Sequence, residues 1–207
     1  MKTLLHINTS INSDAGESSR LAGRLVKAWR VSNPGGKVIS RDLARDPVPH
    51  LTAERFQAFL AKPEARTLAQ QADVDYSDSL IGELKRADTV VIGLPMYNFG
   101  VPSTLKAYFD HVARAAETFR YTDKGSIGLL TGKKAYVVAA RGGAYAGTPM
   151  DTQTAYMRTF LGFLGITDVE FVYAEGLAMG EASKQAGLAR ATANIEQLMH
   201  ADLPFAA

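Results

Sequence analysis

Asp88-Thr89-Val90-Val91-Ile92-Gly93-Leu94-Pro95-Met96-Tyr97-Asn98-Phe99-Gly100-Val101-Pro102-Ser103-Thr104-Leu105-Lys106-Ala107-Tyr108-Phe109-Asp110 reads as a buried strand, a long loop and an amphipathic helix. Thr89 to Leu94 are nearly all apolar, as in a parallel strand covered on both faces. Pro95, with no N–H to donate, is expected to stop the ladder. Met96 to Val101 then place two large flat side chains, Tyr97 and Phe99, and the Asn98 amide just past the strand's carboxyl end. Pro102 fixes φ, Ser103 is a candidate cap, and Leu105, Phe109 and Val112 recur at helical spacing. In open α/β sheets ligands sit outside the carboxyl ends of the strands, where strand order reverses. An aromatic and amide loop there suits a flat heterocycle. A loop that only covered the core would not need Pro, Asn and Gly so closely set.

The chain has 207 residues, enough for one large domain over 1–207. Hydrophobic residues make up 46% and charged residues 21%, the balance of an ordinary globular protein. A net charge of +2, spread along the chain, argues against nucleic acid or a membrane surface as partner. There is no cysteine, hence no disulfide, thiolate metal site or thiol nucleophile. The apolar run in Met1 to Asn8 is too short for a signal peptide, and no stretch approaches the roughly 18 apolar residues of a spanning helix. A cytoplasmic protein is expected.

Outward from the central stretch, Thr3 to Asn8 form a first strand, followed by the hydroxyl-rich segment Asn8 to Arg20. A helix begins near Ser18, with Leu21, Leu25, Val26 and Trp29 on one face. A strand, a polar loop and a helix N-terminus bring free N–H groups and the positive end of the dipole to one point, an anion site. Ser10 and Ser18 add hydroxyls; Asp14 and Glu17 oppose an anion unless they turn outward. No Gly-x-Gly-x-x-Gly fingerprint or Walker loop is present. A second strand follows at Lys37 to Arg41, then helices at Thr52 to Leu60 and Arg66 to Ala87, interrupted near Pro63. After the helix at Ser103 to Ala115, the residues up to Gly132 suggest a hairpin or flap. Lys134 to Ala140 make a fourth strand, ending in Arg141-Gly142-Gly143, whose glycines permit close backbone approach to a ligand. A helix at Thr152 to Leu164, a strand at Val169 to Ala174 and a helix at Glu181 to His200 complete the chain.

Five buried strands alternating with helices predict a flavodoxin-like three-layer α/β sandwich with parallel strand order 2-1-3-4-5. Its three ligand loops supply an anion site, a flat-ring site and a glycine platform. A mononucleotide with a planar head matches that set.

Pro95-Met96-Tyr97-Asn98-Phe99 with Pro102, Thr118-Phe119-Arg120-Tyr121-Thr122, Gly132-Lys133-Lys134, Arg141-Gly142-Gly143 and Phe160 to Val169 closely resemble the FMN-dependent NADH-azoreductases, members of the flavodoxin-like quinone reductases. The resemblance spans nearly the whole chain. It implies a homodimer with one FMN per subunit, NADH or NADPH as donor, and ping-pong reduction of quinones and azo compounds. It places Ser10, Gly16, Glu17 and Ser18 at the phosphate. Pro95, Met96, Tyr97, Asn98 and Phe99 fall against the isoalloxazine, and Ala140, Arg141, Gly142 and Gly143 at its pyrimidine side. Two positions depart from the family pattern. Glu17 stands where a neutral amide is common, which brings a charge to the phosphate site while still offering a backbone N–H, and Ala140 where a hydroxyl is common, which loses one side-chain hydrogen bond; neither change touches the flat-ring loop.

Flavin would carry the chemistry, leaving the protein to bind, orient and tune it. No protein nucleophile and no metal are expected, since His6, His50, His111 and His200 show no ligand spacing. Backbone N–H groups of Gly142 and Gly143 would stabilise the negative charge of reduced flavin near N1 and O2. Phe99, Tyr121 and Phe163 are candidates to line an aromatic acceptor. A flavodoxin-type electron carrier without a substrate pocket is the alternative, disfavoured by the aromatic flap and the extra helices at 52–87. A fold that has lost its ligand is a third reading, supported chiefly by Glu17.

Overall fold

The computed structural model describes residues 1–201. Among these, seven strands and six α-helices follow in the order β1 (Thr3–Asn8), α1 (Glu17–Ser32), β2 (Lys37–Asp42), α2 (Ala53–Leu60), α3 (Leu68–Arg86), β3 (Thr89–Pro95), α4 (Ser103–Val112), β4 (Phe119–Thr122), β5 (Gly125–Gly128), β6 (Lys134–Ala140), α5 (Thr152–Leu164), β7 (Asp168–Ala174) and α6 (Glu181–Ala201). Five strands form a parallel sheet in the order β2-β1-β3-β6-β7. In chain numbering this is 2-1-3-6-7, not the expected 2-1-3-4-5. The excursion after α4 causes the difference: it pairs on itself as an antiparallel hairpin and supplies β4 and β5 to a separate sheet. Strand order reverses between β1 and β3, so a crevice opens beyond their carboxyl ends.

The sheet is covered on both faces because successive side chains of each strand point to opposite sides. Leu5, Ile7, Val90, Ile92 and Leu94 meet α3, α4 and α5 on one side. Leu4, Val91, Tyr136, Val138 and Val172 meet α1 and α6 on the other. The central strand β3 is buried throughout, as its apolar run requires, whereas edge strand β2 is half-exposed. In α1, Leu21, Ala22, Leu25, Val26 and Trp29 form the buried stripe. Thr67 starts α3 with a reciprocal capping box to Gln70. Ser103 makes no cap: it is already helical, and Pro102 stands in front of it. Nor does Pro95 stop the ladder. It pairs with Ala140, and Met96 N–H donates to Ala140 O at 3.1 Å. The missing N–H of Pro95 faces the β1 side, where pairing already ends at Gly93.

The β4–β5 hairpin docks on the far end of α5. Leu130 N–H donates to Leu164 O at 2.8 Å, and a Cβ at Gly128 would lie 2.0 Å from Gly165 N. Gly165 closes α5 with φ +100°, taking its N–H to Gly162 O while Ile166 N–H reaches Leu161 O, a Schellman turn. Because α5 runs back along the sheet, the hairpin lies at the amino ends of the strands.

Two buried histidines make stability depend on pH. His111 takes Ala107 O on Nδ1 at 3.1 Å between the ring edges of Phe59 and Tyr76, and His6 lies within β1. Burial, above all, holds both below the usual 6.5. The unfolded chain takes up protons at these sites below about 6.5, while the folded chain resists until lower pH. Their stabilising contribution is therefore complete above 6.5 and falls as pH drops. Urea unfolding is expected to give an unfolding free energy that declines from pH 7 to pH 5, by at most about 1.4 kcal/mol per pH unit per histidine. His111→Gln should flatten part of that slope; an unchanged slope would refute the assignment.

Candidate functional site

The carboxyl ends of β1, β3 and β6 carry three loops. At β1, the Thr9 hydroxyl donates to Gly93 O at 2.7 Å and ties the loop to β3. A single turn of 3-10 helix, Ser13–Ala15, leads to Gly16 and into α1. Arg20 N–H, bonded to Gly16 O at 2.9 Å, is the first with an intrahelical acceptor. The N–H groups of Glu17, Ser18 and Ser19 have none among the described residues. The Ser18 hydroxyl beside them is buried, at 1% exposure, and it too has no partner among those residues. Gly16 lies so close to Ser10 that a Cβ would stand 2.2 Å from Ser10 Oγ. This is a cradle of donors around a point of positive potential, chemistry that suits a phosphate.

The two acidic residues of this loop turn away from that point. Asp14 pairs with Arg45 at 2.6 Å. Glu17 Oε1 lies 3.4 Å from Lys184 Nζ and 3.8 Å from Arg20 Nη1. Glu17 therefore offers its N–H inward while its charge is met by cations outside, which removes the objection its sequence raised.

The β3 loop is a tight hairpin. Tyr97 and Gly100 exchange backbone bonds at 3.3 and 2.9 Å, with Asn98 at φ 49° and Phe99 at φ 61° between them. Two successive positive φ values are the pattern of a type I′ turn. A phenylalanine in the left-handed region costs roughly 1–2 kcal/mol, which the surrounding bonds must offset. The result is a Phe99 ring held 45% exposed at the loop's tip, edge-on to Tyr145 at 5.6 Å between ring centres. Tyr97 OH accepts the Ile11 N–H at 3.2 Å and stands 3.5 Å from Ser10 Oγ, so this loop also touches the β1 loop.

At β6, Ala140 completes the ladder and is buried, with no polar side-chain atom to offer. Arg141 is turned inward rather than toward a ligand. Its guanidinium, fully buried, donates to Asp151 at 2.8 Å, to Glu175 at 3.1 Å and to Gln153 at 3.2 Å, and lies over the Tyr173 ring. Burial alone would raise the Asp151 carboxyl, but hydrogen bonds from Arg141 and Thr154 outweigh it and hold it below the usual carboxylate range. Gly142 and Gly143 follow. Their carbonyls accept from Ala178 and Gly176, while their N–H groups have no acceptor among the described residues. They are free backbone donors of the kind that steady a developing anion.

Beside the Tyr97–Gly100 turn an open cleft of about 460 Å³ is lined by Phe99, Val101, Thr152, Tyr156 and His50. A larger cavity of about 540 Å³ lies among Lys2, Thr89, Lys134 and Asp168. It sits at the opposite, amino ends of the strands, where none of the three loops reaches. Ser10, Gly16, Glu17, Ser18, Met96 to Phe99 and Ala140 to Gly143 thus gather at one edge. Tyr121 and Phe163 do not: Phe119 packs on both, at 5.3 and 4.3 Å, and all three belong to the hairpin end. Among the described residues no cluster of His, Asp or Glu is placed to hold a metal ion, and no helix is long and apolar enough to cross a membrane. The residues that sequence reading passed over are Gln153, Asp151 and Glu175. Only Asp151 gave a signal, as a capping residue directly before a helix, and it does accept Thr154 N–H.

Residues 2–199 match the family model described as a flavodoxin-like fold. The chain is 53% identical to the FMN-dependent NADH:quinone oxidoreductase of Cellvibrio japonicus, over 95% of this chain and 98% of that one. It is 53% identical to FMN-dependent NADH:quinone oxidoreductase 6 of Burkholderia lata, over 92% and 96%. Its fold superposes with TM-score 0.89 on an FMN-dependent NADH-azoreductase from Bacillus anthracis in complex with FMN, at 27% identity, covering 99% of this chain and all of that one. The chain belongs to the flavodoxin-like family that includes the FMN-dependent NADH:quinone oxidoreductases.

Proposed function

We propose that this chain holds one FMN across the three loops and uses it to pass electrons from NADH to quinones and, as a secondary activity, to azo compounds. The observation that carries this reading is the first turn of α1, where three N–H groups without an intrahelical acceptor stand beside the buried Ser18 hydroxyl, itself without a partner among the described residues, and Gly16 packs directly against Ser10. Bound FMN supplies the two-electron transfer between nicotinamide and acceptor. The residues do the rest. Ser10, Ser18 and the N–H groups from Glu17 hold the phosphate. Pro95, Met96, Tyr97, Asn98 and Phe99 present an apolar wall and an amide to the ring system. Gly142 and Gly143 give N–H donors to its polar edge, where reduction adds negative charge. The cleft beside Phe99 offers room for a planar acceptor, which a pure electron carrier would not need. Quinones rank first because the relatives at 53% identity carry that activity in their names.

A homodimer accounts for the hairpin. Tyr121 is 74% exposed at the end of the sheet remote from its own loops, with Ile127 and Leu129 also exposed. A twofold partner would bring this apolar face to the carboxyl edge of the other copy. Light scattering should give twice 22.3 kDa. Initial rates at several fixed NADH concentrations should give parallel double-reciprocal lines against quinone, the signature of a ping-pong sequence; intersecting lines would overturn it. Glu17→Gln should change FMN affinity by less than about threefold, because the carboxylate already points at Lys184 and Arg20. A gain of tenfold or more would mean that its charge does oppose the phosphate.

A further inference from the structure

The first turn of α5 belongs to neither flavin loop, yet it is bonded to both. Gln153 is 1% exposed. Its amide nitrogen donates to Pro95 O at 2.9 Å and to Gly100 O at 3.0 Å, the two ends of the Met96–Phe99 loop. Its amide oxygen accepts from Arg141 Nε at 3.2 Å. Only one orientation of the amide satisfies all three contacts, because a flip would set oxygen against two carbonyl oxygens and nitrogen against a cation. The neighbouring Thr152 hydroxyl donates to Phe99 O, the carbonyl of the residue in the left-handed conformation. From Arg141 the connection continues to Glu175, whose Oε1 also collects the N–H groups of Tyr145 and Ala146 at 2.9 Å. A chain of hydrogen bonds, buried at Gln153 and part-buried beyond it, therefore runs from the aromatic loop, through one glutamine, to the segment that carries Gly142 and Gly143. Packing alone would be served as well by a methionine.

We propose that Gln153 is a positioning residue that fixes the separation between the Met96–Phe99 loop and the Gly142–Gly143 loop, and so sets both the affinity for FMN and the balance between its oxidised and reduced forms. The inference rests on the flavin reading above. The N–H donors of Gly142 and Gly143 stabilise the added negative charge of reduced flavin, so loosening their placement costs the reduced form more than the oxidised one.

Gln153→Met keeps the volume and removes the three hydrogen bonds. Thr152→Val, at an exposed position, removes only the bond to Phe99. Apoprotein of each is titrated with FMN by fluorescence quenching, and the midpoint potential of the bound flavin is measured by equilibration with a reference dye. Gln153→Met is expected to bind oxidised FMN about tenfold more weakly. Reduced FMN should be bound a further tenfold more weakly, which is a potential about 30 mV lower for a two-electron couple. Thr152→Val should weaken oxidised FMN by about threefold and reduced FMN by a further threefold, a potential about 14 mV lower. If Gln153→Met does not fold, Gln153→Asn decides, since it keeps an amide but sets it one methylene short of the loop carbonyls. Wild-type affinity and potential in the folded variants, whatever their loss of stability, would overturn the proposal and leave Gln153 a packing residue. A wild-type protein that takes up no FMN would overturn the flavin reading itself, and the inference with it.

Discussion

Gly16→Val is expected to lower FMN affinity at least about 100-fold, some 2.7 kcal/mol, with little loss of fold stability. The backbone at Gly16, φ −68° and ψ 142°, is one that any residue adopts, so no conformational strain enters. The whole effect comes from proximity. A Cβ would lie 2.2 Å from Ser10 Oγ and 2.7 Å from Ser10 Cβ. Rotation of the serine relieves the first contact but not the second, so the two sides of the cradle must separate. The N–H groups of Glu17 to Ser19 then no longer converge with the Ser10 and Ser18 hydroxyls. Equilibrium titration of apoprotein with FMN measures the loss, and thermal melts of the apoprotein report the fold. Wild-type affinity in a folded variant would show that the phosphate binds elsewhere.

Arg141→Met is expected to be the most destabilising substitution at this edge, by about 3–5 kcal/mol. The guanidinium is buried between Asp151 and Glu175, whose side chains are themselves largely buried. Removing it strands two carboxylates in a site built around a cation. Their protonation then becomes favourable on folding, the reverse of the wild-type situation, in which Asp151 is held below its usual range. In the wild type, the Asp151 contribution is intact at neutral pH and is lost only in acid, below the unfolded value near 3.8. In the variant, acidification protonates the stranded carboxylates and relieves the penalty. Urea midpoints should therefore differ most at pH 7.5, and the difference should narrow at pH 5.5. A constant difference would mean that Arg141 acts through packing alone.

Features carried by local pattern were legible in the sequence. Thr89 to Leu94 could only be a strand buried on both faces, and the polar loop before Ser18 could only feed a helix N-terminus. From these came the sheet, its switch point and the three loops at its carboxyl edge. What the sequence hid was long-range. Asp14 and Glu17 looked hostile to an anion because their partners, Arg45 and Lys184, lie far along the chain. Arg141 read as a ligand residue, since nothing adjacent shows that Asp151 and Glu175 will enclose it. The hairpin is legible, but its seat against Gly165, which carries Tyr121 away from its own loops to the end of α5 where Phe163 lies, depends on a contact between two distant glycines. Gln153 left no mark at all, being one polar residue in an ordinary helical turn.

On the proposed function, NADH reduces a flavin held at these loops and a quinone reoxidises it. Protein reconstituted with FMN is mixed anaerobically with one equivalent of NADH, and the visible flavin bands are followed. Rapid bleaching, fully restored by one equivalent of a quinone, is expected. A tightly bound flavin that NADH leaves oxidised would contradict it and return the protein to the electron carriers.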